Sequence, residues 1–298
     1  MADTDFEGLG VALVTPFKED YSVDFCALEN LIDYIIEGGC DYIVALGTTA
    51  ETPTLTSEEK KEITSFIKSK VAARVPLVIG IGGNNTKSVI EDISSRDLRG
   101  YSAILSVTPY YNKPTQEGLF QHYKTIVENS PLPIILYNVP GRTGVNLSSE
   151  TTLRLANFSS DICGIKEASG NFEQCLKILN NSPKSFKLIS GDDGAISKLM
   201  EIGASGVISV LANALPHTVK NLVEECKHKN FESAHIQQHD LDSLLKELFI
   251  EGNPSGIKAL LSSRKMIKNT LRLPLVPVSN TVRQNLEKEA SSLWVYND

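Results

Sequence analysis

Short runs rich in Val, Ile and Leu recur along the chain at 8–15, 42–46, 77–81, 103–107, 134–138, 162–166, 186–190 and 206–210. Each reads as a strand, and the strands are separated by longer stretches with helical apolar spacing, among them 27–37, 57–70, 116–128 and 195–202. Thr56, Thr115 and Asp193 stand where helix N-caps are expected. That alternation is the signal of βαβ units and a parallel sheet. Eight units within roughly 225 residues match a closed (β/α)8 TIM barrel, whose working face lies at the C-terminal ends of the strands. An open, doubly wound sheet uses the same local units and stays open as the alternative fold. After residue 229 the strand signal stops, and 231–249, 254–267 and 280–291 all read as helices. Residues 1–229 are therefore expected to form the barrel, and 230–298 a C-terminal helical region.

Composition narrows the function more than the fold. The 298 residues are 41% hydrophobic and 22% charged, ordinary values for a folded protein with an ample core. A formal net charge of -7 argues against nucleic acid as a partner, because phosphate-backbone binding needs a concentrated basic surface. The first residues are acidic and lack the pattern of a signal peptide, and no apolar run is long enough to cross a bilayer, so a cytoplasmic location is expected. Five scattered cysteines, Cys26, Cys40, Cys163, Cys175 and Cys226, fit reduced thiols. The five histidines lack metal-ligand spacing, and the run Gly80-Ile81-Gly82-Gly83-Asn84 lacks the third glycine of a dinucleotide loop. Neither a metal nor a nucleotide cofactor is expected.

Polar and reactive residues gather at the predicted C-terminal strand ends. Gly47-Thr48-Thr49-Ala50-Glu51 follows the second strand and offers donors for a carboxylate, though an ordinary turn into a helix fits as well. Thr108-Pro109-Tyr110-Tyr111-Asn112 follows the fourth, and the fifth runs into Tyr137-Asn138-Val139-Pro140-Gly141-Arg142-Thr143-Gly144. Phenols can shuttle protons and a guanidinium binds carboxylates in bidentate fashion, which suits a small acidic substrate; aromatic packing and a surface salt bridge suit the same residues. The sixth strand ends in Gly164-Ile165-Lys166-Glu167-Ala168, a lysine directly behind an apolar run. A free lysine, with a pKa of about 10.4, stays protonated at neutral pH, whereas a desolvated amine becomes a nucleophile towards carbonyls. A rim lysine pointing into water fits that position equally.

Taken together, these loops resemble the pyruvate-dependent class I aldolases and lyases typified by dihydrodipicolinate synthase and N-acetylneuraminate lyase, over nearly the whole chain. The resemblance implies that Lys166 forms the Schiff base with pyruvate, that Tyr137 is the general acid and base beside it, and that Thr48 links Tyr137 to a Tyr111 reaching across a subunit interface. It further implies that Thr48 and Thr49 hold the pyruvate carboxylate, that Arg142 receives the carboxylate of the second substrate, and that Gly191 and Ile208 line the pocket. The paired Tyr110-Tyr111 and the Arg142-Thr143-Gly144 stretch look like the dihydrodipicolinate synthase branch. The implied reaction condenses pyruvate with L-aspartate 4-semialdehyde on the route to diaminopimelate and lysine, in a homotetramer built as a dimer of dimers. Ala50 departs from the usual glycine. Lysine-inhibited relatives often carry histidines at the places of Ser57 and Lys60 and an acid at that of Ser88, so only Asn84 and Tyr110 match an allosteric lysine site, and inhibition by lysine is expected to be weak or absent. Two other readings are a lyase of the same scaffold acting on a sugar acid or a different aldehyde, and a catalytically silent paralogue that binds a keto acid.

Overall fold

The computed structural model describes residues 6–294. Its strands, β1 (Gly8–Ala12), β2 (Tyr42–Ala45), β3 (Leu77–Gly80), β4 (Ala103–Val107), β5 (Ile134–Asn138), β6 (Ile162–Glu167), β7 (Lys187–Ser190) and β8 (Gly206–Ser209), pair in chain order. All pairs are parallel, and β8 returns to β1, so the sheet is a closed barrel and not the open alternative. Around it run α1 (Phe25–Glu37), α2 (Ser57–Val71), α3 (Thr86–Ser95), α4 (Gln116–Glu128), the single turn α5 (Pro140–Thr143), α6 (Ser149–Phe158), α7 (Phe172–Asn181), α8 (Ile196–Glu201) and α9 (Pro216–Lys227). The chain ends in α10 (Phe231–Ile250), α11 (Ser255–Ser263) and α12 (Asn280–Ala290).

The strands bury both faces, and this divides the apolar side chains into two groups. One face of each strand joins the helices in a large outer core that includes Leu9, Ile43, Ile79, Ile104, Leu28, Ile32, Ile63 and Ile67. At about 1.5–3 kcal/mol for each fully buried aliphatic side chain, this layer carries most of the hydrophobic stabilisation. The other face fills the barrel interior with Tyr42, Val44, Val78, Leu105, Ile135, Tyr137, Ile189 and Ile208, joined by Phe6. Room for Tyr42 comes from its register partner Gly10, where a Cβ would lie 2.3 Å from the tyrosine ring.

Three local expectations are corrected. β1 stops at Ala12 and not at residue 15, because side chains replace the ladder there: Val14 N–H donates to Asn213 Oδ1 at 3.1 Å and Thr15 Oγ1 to the Ala50 carbonyl at 2.8 Å. α11 spans Ser255–Ser263 where 254–267 was expected, since Lys265 adopts a left-handed conformation (φ 58°) and Met266 N–H returns to the Leu261 carbonyl. Asp193 does not cap α8. It opens a short 3₁₀ turn (Asp193–Ala195) that is itself capped by Asp192. The Asp193 carboxylate is buried, accepts from Ser209 Oγ, and accepts from the Val210 and Leu211 amides at 2.9 and 3.3 Å. It thus holds the turn after β8, and burial pushes its carboxyl above the usual range. Thr56 and Thr115 do cap α2 and α4, Thr56 in a reciprocal box with Glu59.

Candidate active site

Lys166 faces the barrel interior because β6 carries one residue too many. Ile134 pairs with Ile162 but Ile135 pairs with Gly164, so Cys163 is accommodated as a bulge. Ile162 and Ile165, three apart, both face the helices, which a regular strand with its two-residue period does not permit. The slip brings Lys166 opposite Tyr137 on the inward face; without it Ile165 would stand there. The row continues through Ile189 of β7 to Gly206 of β8.

Lys166 is 5% exposed, and its Nζ sits 4.6 Å from the centroid of the Tyr137 ring. The other deeply buried lysine, Lys258, is neutralised by Glu51, which is equally buried. Lys166 has no carboxylate or hydrogen-bond partner among the described residues, an unusual state for a lysine inside a protein. The adjacent carboxylate is turned away: Glu167 accepts from the Ser169 amide at 2.7 Å, from Gln174 Nε2 at 2.8 Å and from Asn138 Nδ2 at 3.1 and 3.2 Å. Gly191 packs against the stem of the lysine, its absent Cβ falling 3.1 Å from Lys166 Cε and 2.7 Å from Ala168 Cβ. Ile208 is fully enclosed in the interior cluster with Tyr137 and Ile189.

Tyr137, Thr48, Arg142 and Tyr110 line one cavity of about 460 Å³ at the C-terminal ends of the strands. Lys166, Thr49, Gly191 and Ile208 are not part of its wall, and Lys166 is joined to it through the Tyr137 ring. Thr48 opens a 3₁₀ turn (Thr48–Ala50) after β2, and the next residue, Glu51, takes a left-handed conformation (φ 53°). The Thr48, Tyr111 and Tyr137 hydroxyls make no hydrogen bond to one another within the described residues. Tyr111 is 88% exposed, while its backbone is pinned, with φ 72° and its amide on the Thr143 carbonyl at 3.4 Å. Asn84 Nδ2 donates to the Tyr110 carbonyl at 3.1 Å, which ties these two residues together beside the cavity.

The C-terminal segment supplies a group to the site that local sequence patterns do not reveal, beginning with the connection between α10 and α11. Asn253 Nδ2 donates to Thr49 Oγ1 at 3.0 Å, and the Asn253 carbonyl accepts from Arg142 Nη2 at 3.2 Å, so one residue fixes both a threonine of the turn and the guanidinium. Arg142 has no carboxylate opposite it among the described residues and is free to take one from a ligand. Lys258 of α11 also donates to the Thr270 carbonyl at 3.0 Å, and the Arg272 amide donates to Glu51 Oε2 at 3.0 Å. The signal was present in Asn253-Pro254 and in a lysine set among the apolar residues of α11, but nothing local says which strand end they meet. Among the described residues, no group of three or more His, Cys, Asp or Glu side chains is arranged to hold a metal ion. No helix among them is long and apolar enough to cross a membrane.

Comparison with known proteins agrees with this geometry. A family model described as the Dihydrodipicolinate synthetase family matches residues 5–293. A 4-hydroxy-tetrahydrodipicolinate synthase of Parabacteroides distasonis is 53% identical over 277 residues, 93% of either chain. The solved dihydrodipicolinate synthase of Acinetobacter baumannii, complexed with pyruvate, superposes with a TM-score of 0.94 at 40% identity, covering 98% of this chain and 100% of that one. A monomeric dihydrodipicolinate synthase variant superposes with a TM-score of 0.95 at 38% identity, covering 98% of both. A closed barrel with an unpaired lysine at the end of β6, matched from residue 5 to residue 293, makes this chain a member of the dihydrodipicolinate synthetase family.

Proposed function

We propose that the chain is a lyase condensing pyruvate with L-aspartate 4-semialdehyde to 4-hydroxy-tetrahydrodipicolinate, through an imine on Lys166. The observation that carries this reading is the buried amine of Lys166, without a counter-ion and 4.6 Å from the Tyr137 ring. The neutral amine adds to C2 of pyruvate, and loss of water gives the imine. The imine draws electrons from the methyl carbon, which gives up a proton to form the enamine. Tyr137 is placed to carry protons in these steps, with Thr48 at the same end of the cavity. Thr48 and Thr49 hold the pyruvate carboxylate, and Gly191 and Ile208 shape the space around it. The enamine attacks the aldehyde of the second substrate, whose carboxylate rests on Arg142. The amine of that substrate then adds to the imine carbon and displaces Lys166, closing the ring. One water leaves per turnover, and no metal or nucleotide enters the scheme.

The working form is proposed to be a homotetramer in which Tyr111 of one subunit completes the site of another. Weak or absent inhibition by lysine goes with Ser57, Lys60 and Ser88. The test couples turnover to the next reductase and follows consumption of reduced nicotinamide. Lys166→Ala should lower turnover by about 10³-fold or more, the scale of losing a covalent nucleophile. Borohydride with pyruvate should add a stable adduct to Lys166. An adduct without turnover would move the assignment to a lyase using another aldehyde, and no adduct would leave a keto-acid-binding paralogue.

A further inference from the structure

Glu51 closes the 3₁₀ turn that carries Thr48 and Thr49: its amide donates to the Thr48 carbonyl at 3.2 Å, and its carbonyl accepts from the Thr54 amide at 2.9 Å. A residue with a Cβ keeps a left-handed backbone such as this one (φ 53°) only where its surroundings hold it there. The hold comes from far along the chain. Both oxygens of the buried Glu51 carboxylate accept, one from Lys258 Nζ and the other from the Arg272 amide at 3.0 Å. Arg272 Nη1 also donates to the Thr54 carbonyl at 2.9 Å and to Glu59 Oε2 at 2.8 Å, so the same residue grips the chain beyond Glu51. The two cations share the buried ring of Phe17, with Lys258 Nζ 4.1 Å and the Arg272 guanidinium carbon 4.4 Å from its centroid. A well-packed apolar pair of the same volume is often no less stable than a buried ion pair, so stability alone does not account for these charges. What they add is direction. A carboxylate accepting on both oxygens fixes the rotation of Glu51, and with it the turn that bears Thr48 and Thr49.

We propose that Glu51, Lys258 and Arg272 are positioning residues, a charged clamp from the C-terminal segment that aims the turn bearing Thr48 and Thr49 at the carboxylate of pyruvate. The clamp acts through the turn and sets how tightly pyruvate is held, not the chemistry at Lys166. Asn253 Nδ2, on Thr49 Oγ1 at 3.0 Å, steadies the turn from the same segment. The inference rests on the reading that Thr48 and Thr49 hold that carboxylate.

The test removes both charges at once, Lys258→Met with Glu51→Gln, and reads the full-length protein in two ways. Borohydride trapping over a pyruvate series gives the half-saturating concentration for the Lys166 adduct, and the coupled assay gives kcat. The double variant should unfold at nearly the wild-type denaturant concentration, since no buried charge is left stranded. Its half-saturating pyruvate should rise by about tenfold or more while kcat falls by about threefold or less, the mark of lost binding rather than lost chemistry. If the double variant does not fold, Glu51→Gln alone, which keeps the shape and removes the charge, should show the same split. Wild-type half-saturation in the folded variant would overturn the clamp, as would a fall in kcat with half-saturation unchanged. An adduct absent even from the wild type would instead remove the Lys166 reading, and the clamp with it.

Discussion

Position 191 has no room for a side chain. A methyl group there would meet Ala168 and the Lys166 stem together, and the lysine stem is the softer neighbour. Gly191→Ala is therefore expected to keep the fold at a cost of about 1–3 kcal/mol from overpacking, while the displaced amine lowers kcat by about 100-fold. Thermal unfolding and the coupled assay on the same preparation separate the two effects; loss of fold and activity in proportion would refute the argument. His122 makes a different point. It is buried on α4 with Nδ1 on Thr86 Oγ1 at 2.8 Å and Nε2 without a partner, and burial pushes its pKa down to about 4. The unfolded chain, with the histidine near the ordinary value of about 6.5, binds the proton first as the pH falls. Its contribution to stability is thus fully present above about pH 6.5 and is lost on the way down to about 4. Between pH 7 and 4.5 the wild type should lose roughly 2 kcal/mol more than His122→Gln in urea unfolding. Parallel curves for the two proteins would show that the histidine is not responsible.

At the scale of elements, α11 is fastened to the turn after β2 by Lys258 and Glu51, with Arg272 bracing the same carboxylate through its amide. Desolvation is the larger influence on Lys258 and brings its pKa down to about 8 despite the partner. Such a pair is worth little in net stability but is expensive to break singly. Lys258→Met should cost about 3–5 kcal/mol by stranding Glu51, and adding Glu51→Gln should restore most of that loss. Additive losses in denaturant melts would mean that the two residues act independently. The strands and the caps at Thr56 and Thr115 were legible because apolar runs and caps are local signals. The bulge at Cys163 leaves a trace in the spacing of Ile162 and Ile165, but a run apolar on both faces does not advertise its register. Asp193 was misassigned for a related reason: an acid before a helix looks like its cap, and only the closed barrel brings it to the amides after β8. The resemblance pointed to Lys166, Tyr137 and Arg142; Asn253 lay outside it and far away in sequence, so its role emerged only with the fold.

For the whole molecule, the last strand ends at Ser209 and α9 at Lys227, and hydrogen bonds of the site cross the boundary expected at residue 229 through Asn253, Lys258 and Arg272. One piece of the proposed site still points outward. Tyr111 stands in solvent on a backbone already fixed, which suits a side chain waiting for a neighbouring subunit. Sedimentation velocity at assay concentrations should report a tetramer, and specific activity should fall on dilution as subunits part. A monomer of undiminished specific activity would remove Tyr111 from the proposed machinery.

The ring of Tyr42, filling the space left by Gly10 and meeting Phe6 edge-on at 5.7 Å, closes the far end of the barrel. The reacting end is consequently a blind alley. In the proposed reaction, the water expelled when pyruvate joins Lys166 departs through the same mouth by which the second substrate arrives, so the traffic imposes a sequence. On that proposal, pyruvate goes in first and sheds its oxygen as water before the aldehyde takes up its place behind it.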